Sequence, residues 1–511
     1  MASLLLINPP LPRGRRAGVL GAAAGFSPPL GLLSLAACAR AAGHRVAVLD
    51  AEALGLKLKA AAKEALEFRP ALAGLTATTL SLSSAAALAA LLKEGSPGTL
   101  VAVGGPHATA LPEDTLARYP AFDLAVVGEG EETLLELLSV LDEGGWRRAA
   151  GAPWDGEVAA RFGRVAGIAL RVGRGEPERT APREAIPDLD RLPRPAWDLL
   201  DGFPWRYRLQ AQSWFATPST SVCGSRGCAG RCTFCCRGVF GRRVRAHSPE
   251  YLVAALRELK CRFGVRGVQF EDDNFTLLRP RLLRFCELAR AERLGVEWSC
   301  QARVDTVDPE MLKAARLAGC RAVLFGVESA DPAVLEILGK RITPDRAYLA
   351  LSWARAAGLA TKGFFMFGCP GETRDGLGRT VEFMLRAPLD DISIHMYTPF
   401  PGTELYPNIS RYGEFTPDFE RMNSFEPVFV PHGLSREELL AWARRAYRAF
   451  YLRPRTVLGY MGRLKHPAQA LALARSALGL ARFVTGRGGE GGAPPGAHGD
   501  GSGGAERGAG R

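Results

Sequence analysis

The chain has 511 residues, 47% of them hydrophobic and 23% charged, the balance of a soluble globular protein with room for two or three domains. No apolar run is long enough to span a bilayer, and the first ten residues lack the basic leader and apolar length of a secretion signal, so a cytoplasmic protein is expected. The net charge of +12 is local: residues 441–487 hold nine Arg, one Lys and no Asp or Glu. With no spread of basic side chains interleaved with aromatics, nucleic acid is not expected as a partner.

Residues 1–143 alternate short apolar runs with helical patterns. Strands are expected at 3–8, 45–49, 71–75, 100–103 and 123–127, with helices at 30–42 and 56–68 and further helical patterns between and after the later strands. Such βαβ alternation predicts a doubly wound parallel sheet, in which ligands bind beyond the carboxyl ends of the strands. Glycines collect at those ends: Gly104 and Gly105 before His107, and Gly128 and Gly130 around Glu129. Between 144 and 210 the alternation is lost. A hairpin is expected at 161–179, followed by a proline-rich connector at 182–204.

From residue 211 to 410 a second α/β series appears. Strands are expected at 267–271, 296–301, 321–327, 359–367 and 390–397, plus one before residue 223, with helices at 249–263, 280–293, 309–317, 344–357 and 374–386. Six βα units predict a partial TIM barrel, whose strand ends surround one mouth. Residues 411–485 are expected to form a C-terminal helical region, with the helical pattern itself at 435–483. The Gly/Ala/Pro-rich tail, 486–511, is expected to be disordered.

Eleven cysteines, an odd number, argue against a disulfide framework. Five of them, Cys223, Cys228, Cys232, Cys235 and Cys236, fall within fourteen residues. The spacing Cys228-x3-Cys232-x2-Cys235 suits three irons of a 4Fe–4S cluster with the fourth left open to chelate a substrate. Zinc is the alternative, but it usually needs four ligands in paired groups, and here only His247 lies near. Cys236 could replace Cys235. The spacing, with Phe234 before the last cysteine and a strand before the loop, resembles the radical S-adenosylmethionine superfamily. Other resemblances follow in order: Asp273 after Phe270-Glu271-Asp272, Gln301 and Arg303, Glu328 and Ser329, and Gly368 and Gly371 around Cys369-Pro370. The resemblance implies that Cys228, Cys232 and Cys235 bind the cluster and that the strand-end residues contact S-adenosylmethionine.

A sheet domain before such a barrel resembles the cobalamin-binding branch of this family, and the resemblance runs from about residue 4 to 455. It implies that Gly104, Gly105, His107, Gly128 and Gly130 contact cobalamin. None of the seven histidines has Asp two residues before it, so the D-x-H-x-x-G motif that places a histidine under cobalt is absent. Residues 1–150 contain only Cys38, which sets aside the methylthiotransferases, whose N-terminal domain carries cluster cysteines. The implied reaction is methylation of an unactivated carbon of a small-molecule or lipid-like substrate. One S-adenosylmethionine supplies methyl through cobalamin, and a second supplies a 5′-deoxyadenosyl radical. A flavodoxin or ferredoxin is expected as reductant. The alternatives are a ring-forming or ring-rearranging enzyme of the same family and a cobalamin-binding sensor or carrier. The basic 441–487 segment suggests peripheral membrane contact, against the simpler arrangement in which its aromatics pack on the barrel.

Overall fold

The first strand, β1 (Ser3–Asn8), shows why the N-terminal sheet is parallel: Leu4 to Ile7 are all buried, an apolar run rather than an alternation. In the computed structural model, residues 1–12, 15–16, 25–143, 156–171, 175–207, 216–461, 478–479 and 481 are described. The tail expected at 486–511 lies outside them.

Among the described residues, β1 joins β2 (Arg45–Asp50), β3 (Leu72–Thr76), β4 (Leu100–Gly104), β5 (Leu124–Val126), β6 (Ile168–Arg171) and β7 (Pro177–Arg179) in the order β2-β1-β3-β4-β5-β6-β7. Strands β1 to β5 are mutually parallel. Leu5 and Ile7 enter the core on one face, Leu4 and Leu6 the core on the other, as a period of two requires. The order 2-1-3-4-5 reverses between β1 and β3, so the crevice beyond their carboxyl ends is the natural ligand position. The expected hairpin forms as β6 and β7, but it pairs antiparallel onto β5 and so belongs to the sheet.

The second sheet contains β8 (Ser219–Val222), β11 (Gly267–Phe270), β12 (Glu297–Arg303), β13 (Cys320–Glu328), β14 (Ala360–Phe367) and β15 (Asp391–Met396). They pair in chain order, all parallel, as the curled half-barrel predicted. Between β8 and β11 lies a two-residue ladder of β9 (Ser225–Arg226) and β10 (Arg245–Ala246), from which the cysteine loop emerges. The barrel helices start on recurring signals. Ser248, Asp308, Asp331 and Thr343 each accept a backbone N–H from the first turn, and each is followed by proline. Behind the sheet, Phe270, Phe275, Phe285 and Trp298 pack with ring centroids between 4.1 and 6.0 Å apart.

The region after the barrel is less helical than expected. Residues 411–434 contain Pro417, Pro427, Pro431 and Gly433, which break helices, and they form a two-stranded ladder of β16 (Gly413–Phe415) and β17 (Phe429–Pro431). The helix Arg436–Tyr451 then begins on a capping box between Ser435 and Glu438. It buries Leu439, Ala443, Ala446, Tyr447 and Phe450 against the barrel, and Tyr447 Oη accepts the Ile394 N–H at 2.9 Å. Its central aromatics are thus committed to the core. Among the described residues no helix is long and apolar enough to cross a membrane.

Candidate active site

The loop from Arg226 to Arg245 carries the cysteine motif, and Cys228, Cys232 and Cys235 line one cavity of about 590 Å³ at the barrel mouth. Gly230 lets the sulfurs converge: a Cβ there would stand 3.3 Å from Cys228 Sγ and 3.8 Å from Cys232 Sγ. Arg237 ties the loop by donating to the Gly230 carbonyl at 2.8 Å. Cys232 and Cys235 share a hydrogen bond that lowers the Cys232 thiol and raises that of Cys235, and Lys340 and Arg303 add positive charge that favours a thiolate against the cost of burial. Three thiols lining one cavity suit a cluster held by one thiolate per iron. Cys223 faces away, donating to the Ser225 carbonyl at 3.0 Å. Cys236 lines the cavity beside Cys235.

The strand ends bring four more of the predicted residues to the same cavity: Asp273, Gln301, Arg303 and Glu328. Arg303 donates to Cys232 Sγ at 3.4 Å while Asp305 and the Lys340 carbonyl hold its other nitrogens. Glu328 sits at φ 69°, a left-handed conformation costing about 1–3 kcal/mol for a non-glycine residue. The register between β13 and β14 slips there, a bulge that turns the carboxylate into the mouth. Lys340, which the sequence did not single out, pairs with Glu328 at 2.7 Å, and both are buried. Gly326 makes room for them, because a Cβ would lie 2.6 Å from Glu328 Oε1 and 2.9 Å from Lys340 Nζ. Leu324, Phe364, Met366 and Met396 supply an apolar wall. His395 completes it, its Nε2 3.0 Å from Ser393 Oγ, and burial followed by the nearby Lys362 charge pushes it down to about 4.

Three predicted residues lie outside the cavity. The Ser329 hydroxyl is fully buried, 3.1 Å from Thr380 Oγ1 and accepting the Asp331 N–H. Gly368 abuts Leu439 and Gly371 abuts Ile337, both with positive φ in the turn after β14.

Glu271 stands beside the cavity and accepts from Gln301 at 3.0 Å and Gln269 at 2.8 Å. Burial pushes its carboxyl up from 4.5 to about 7, opposed by those two donors and reinforced by the neighbouring Asp272. The folded state therefore holds the extra proton. This part of the stability is complete below pH 4.5 and is lost as pH rises through about 7. The thermal midpoint is expected to fall as pH rises from 4.5 to about 7 and to level off above that, and Glu271→Gln to flatten the fall. The same slope in both proteins would contradict the assignment.

A second cavity, of about 340 Å³, separates the barrel mouth from the carboxyl ends of β3 and β4. Thr78, Thr79, Leu80 and Pro106 line it from the sheet domain, and Pro401, Met422 and Asn423 from the other side. It shares Phe234, Cys236, Phe400 and Ser424 with the first cavity, so the two adjoin. Gly105, at φ 103°, lies so close to β3 that a Cβ would meet the Ala77 carbonyl at 2.9 Å, and Gly104 faces Val126. His107 is buried behind this loop. Its Nδ1 is 3.1 Å from Thr79 Oγ1, its ring packs edge-on against Phe419, and burial pushes it down to about 4. Gly128 and Gly130 lie elsewhere: Gly128 faces the Val239 carbonyl of the cysteine loop and Gly130 faces Leu35.

Residues 222–384 match the Radical SAM superfamily and residues 16–138 the B12 binding domain. An uncharacterised methyltransferase of Pyrococcus horikoshii is 33% identical over 459 residues, 89% of this chain and 94% of that protein. The chain belongs to the cobalamin-binding radical S-adenosylmethionine family. As a member it is an enzyme whose cofactors are a 4Fe–4S cluster, S-adenosylmethionine and cobalamin. The anaerobic magnesium-protoporphyrin IX monomethyl ester cyclase of Rubrivivax gelatinosus is 28% identical, over 84% of this chain and 74% of its own. In fold, the radical S-adenosylmethionine methyltransferase TsrM of Kitasatospora setae, with cobalamin and a 4Fe–4S cluster bound, superposes with a TM-score of 0.68 at 16% identity, over 95% of this chain and 100% of that one. The cobalamin-dependent radical enzyme OxsB, with aqua-cobalamin bound, gives 0.72 at 18% identity, over 95% of this chain and 72% of its own.

Within this family member the second cavity fits the cobalamin side. It opens at the carboxyl ends of β3 and β4 and is lined by hydroxyls, an amide and apolar groups, with no histidine among the described lining residues. Thr78, Thr79 and Asn423 would be the polar side chains offered to cobalamin there, and none of the described lining residues could supply a histidine nitrogen. Electron paramagnetic resonance of the Co(II) state is expected to show no nitrogen splitting that depends on a histidine of the protein. Splitting that disappears in a His107→Ala variant would contradict this.

Proposed function

We propose that the enzyme transfers a methyl group to an unactivated carbon of a small-molecule substrate held where the two cavities meet. The observation that carries this reading is their adjacency: the cavity with the three thiols and the strand-end charges opens onto the cavity beyond β3 and β4 through shared Phe234, Cys236, Phe400 and Ser424. In this reading Cys228, Cys232 and Cys235 hold the cluster. Arg303 and Lys340 offer cations to the carboxylate of S-adenosylmethionine, and Glu328 and Asp273 offer acceptors to its amine. Leu324, Phe364 and Met366 pack on the nucleoside and exclude water. When bound, the cluster supplies the electron that cleaves S-adenosylmethionine, and cobalamin supplies the methyl group.

The cysteine loop also suggests how the electron arrives. Between residues 226 and 246 there are six arginines and no acid, and Arg231, Arg242 and Arg243 are exposed. This face suits an acidic low-potential carrier such as a flavodoxin or ferredoxin, in a reducing, cytoplasmic setting. Membrane contact through 441–487 has less support, because Tyr447 and Phe450 face the barrel. Sedimentation with anionic liposomes at low salt is expected to leave the protein in the supernatant, and pelleting would restore the membrane reading.

The second reading, ring formation, is favoured by the similarity to the cyclase of Rubrivivax gelatinosus. Label separates the two. With methyl-deuterated S-adenosylmethionine, methyl transfer is expected to deliver all three deuterons to the product, whereas ring formation delivers none.

A further inference from the structure

The turn after β5, Gly128-Glu129-Gly130-Glu131, does not face either cavity. It meets the base of the cysteine loop. Glu129 is 6% exposed and Glu131 5%. Glu129 Oε1 accepts from Arg226 Nη1 at 3.1 Å, and its Oε2 accepts from Arg245 Nη1 at 2.7 Å and from the Ile186 N–H at 2.8 Å. Glu131 Oε1 accepts from Arg226 Nη2 at 2.5 Å and from Ser34 Oγ at 2.7 Å. Arg226 and Arg245 are direct register partners in the β9–β10 ladder, and so mark the two ends of the loop that carries Cys228, Cys232 and Cys235. Two buried anions of the sheet domain thus meet two cations of the loop base, and the cluster of charges is neutral. Arg245 also donates to the Ile186 and Phe240 carbonyls, and Arg226 lies over the Phe240 ring at 5.3 Å.

We propose that Glu129 is a positioning residue, a single carboxylate that fastens both ends of the cysteine loop to the sheet domain. Domain interfaces within one chain ordinarily permit relative motion. One carboxylate spanning two arginines in a buried, neutral network resists it. Resting on the assignment of the loop to the cluster and of the sheet domain to cobalamin, the consequence is that Glu129 sets the separation of the two cofactors. A substrate carbon must be reached from both sides, and a displacement of about 1 Å can cost about a hundredfold in rate.

Glu129→Gln tests this without changing shape: the amide oxygen can still accept the Ile186 N–H, while the charge is lost. Hydrogen exchange on the cofactor-free full chain is expected to speed up by about tenfold or more at the amides of residues 227–244, with β1 to β4 unchanged. In the reduced holoenzyme, the magnetic interaction between Co(II) cobalamin and the cluster is expected to change while iron and cobalamin contents stay as in the unaltered protein. Loop exchange and magnetic interaction both equal to those of the unaltered protein would overturn the proposal. If Glu129→Gln does not fold, Glu129→Asp takes its place, since it keeps the charge but is too short to span both arginines; unchanged loop exchange there overturns the proposal too. Raised loop exchange in a protein that takes up no cobalamin supports the fastening and counts instead against the cofactor assignment.

Discussion

Replacing any one of Cys228, Cys232 or Cys235 with alanine is expected to strip most iron and sulfide from the anaerobically reconstituted protein and to abolish cleavage of S-adenosylmethionine. In the proposed assignment each thiolate would hold its own iron, so no remaining ligand could cover for a lost one. Cys223→Ala and Cys236→Ala are expected to keep the cluster, and the structure gives a reason in each case. Cys223 bonds to the Ser225 carbonyl and is not among the residues lining the cavity that Cys228, Cys232 and Cys235 share. Cys236 sits at the junction of the two cavities, beside Gly402. Iron retention in Cys235→Ala together with loss in Cys236→Ala would exchange their roles.

The second large effect belongs to Glu328 and Lys340. Each single replacement, Glu328→Gln or Lys340→Met, leaves one buried charge without its partner and is expected to cost about 3–5 kcal/mol of stability. Cleavage of S-adenosylmethionine is expected to fall by about a hundredfold or more in each, because a polar contact to the cosubstrate is lost and its pose shifts. The double variant separates the two effects. With both charges gone, stability is expected to recover in thermal denaturation while cleavage stays low. Recovery of cleavage along with stability would make the pair structural only.

Much of this was legible in the sequence. Strands buried on both faces read as short apolar runs, and Ser or Asp before Pro marks where barrel helices begin, so both parallel sheets could be anticipated, but not the strand order of the first or that the two hairpin strands extend it. Asp273, Gln301, Arg303 and Glu328 were singled out by resemblance to the superfamily, and they share the cavity with the three cysteines because strand ends of a barrel surround one mouth. Parity explains why Ser329 lies outside the cavity. At a strand end, successive residues point to opposite sides, and the slip between Gly326 and Glu328 alters the count, sending Glu328 inward and Ser329 toward Thr380. Lys340 was missed because it reaches the mouth from the turn after the helix Pro332–Ile337, with no motif to mark it. Glu129 was hidden behind its own glycines, because its partners are 97 and 116 residues away.

The most direct test of the central claim is to measure the two products of S-adenosylmethionine together, in a reconstituted holoenzyme turning over its substrate under reducing conditions. Methyl transfer by this route consumes one molecule for the methyl group and another for the radical. S-adenosylhomocysteine and 5′-deoxyadenosine are therefore expected to accumulate in nearly equal amounts. 5′-Deoxyadenosine without S-adenosylhomocysteine would contradict methyl transfer and hand the reaction to the ring-forming alternative.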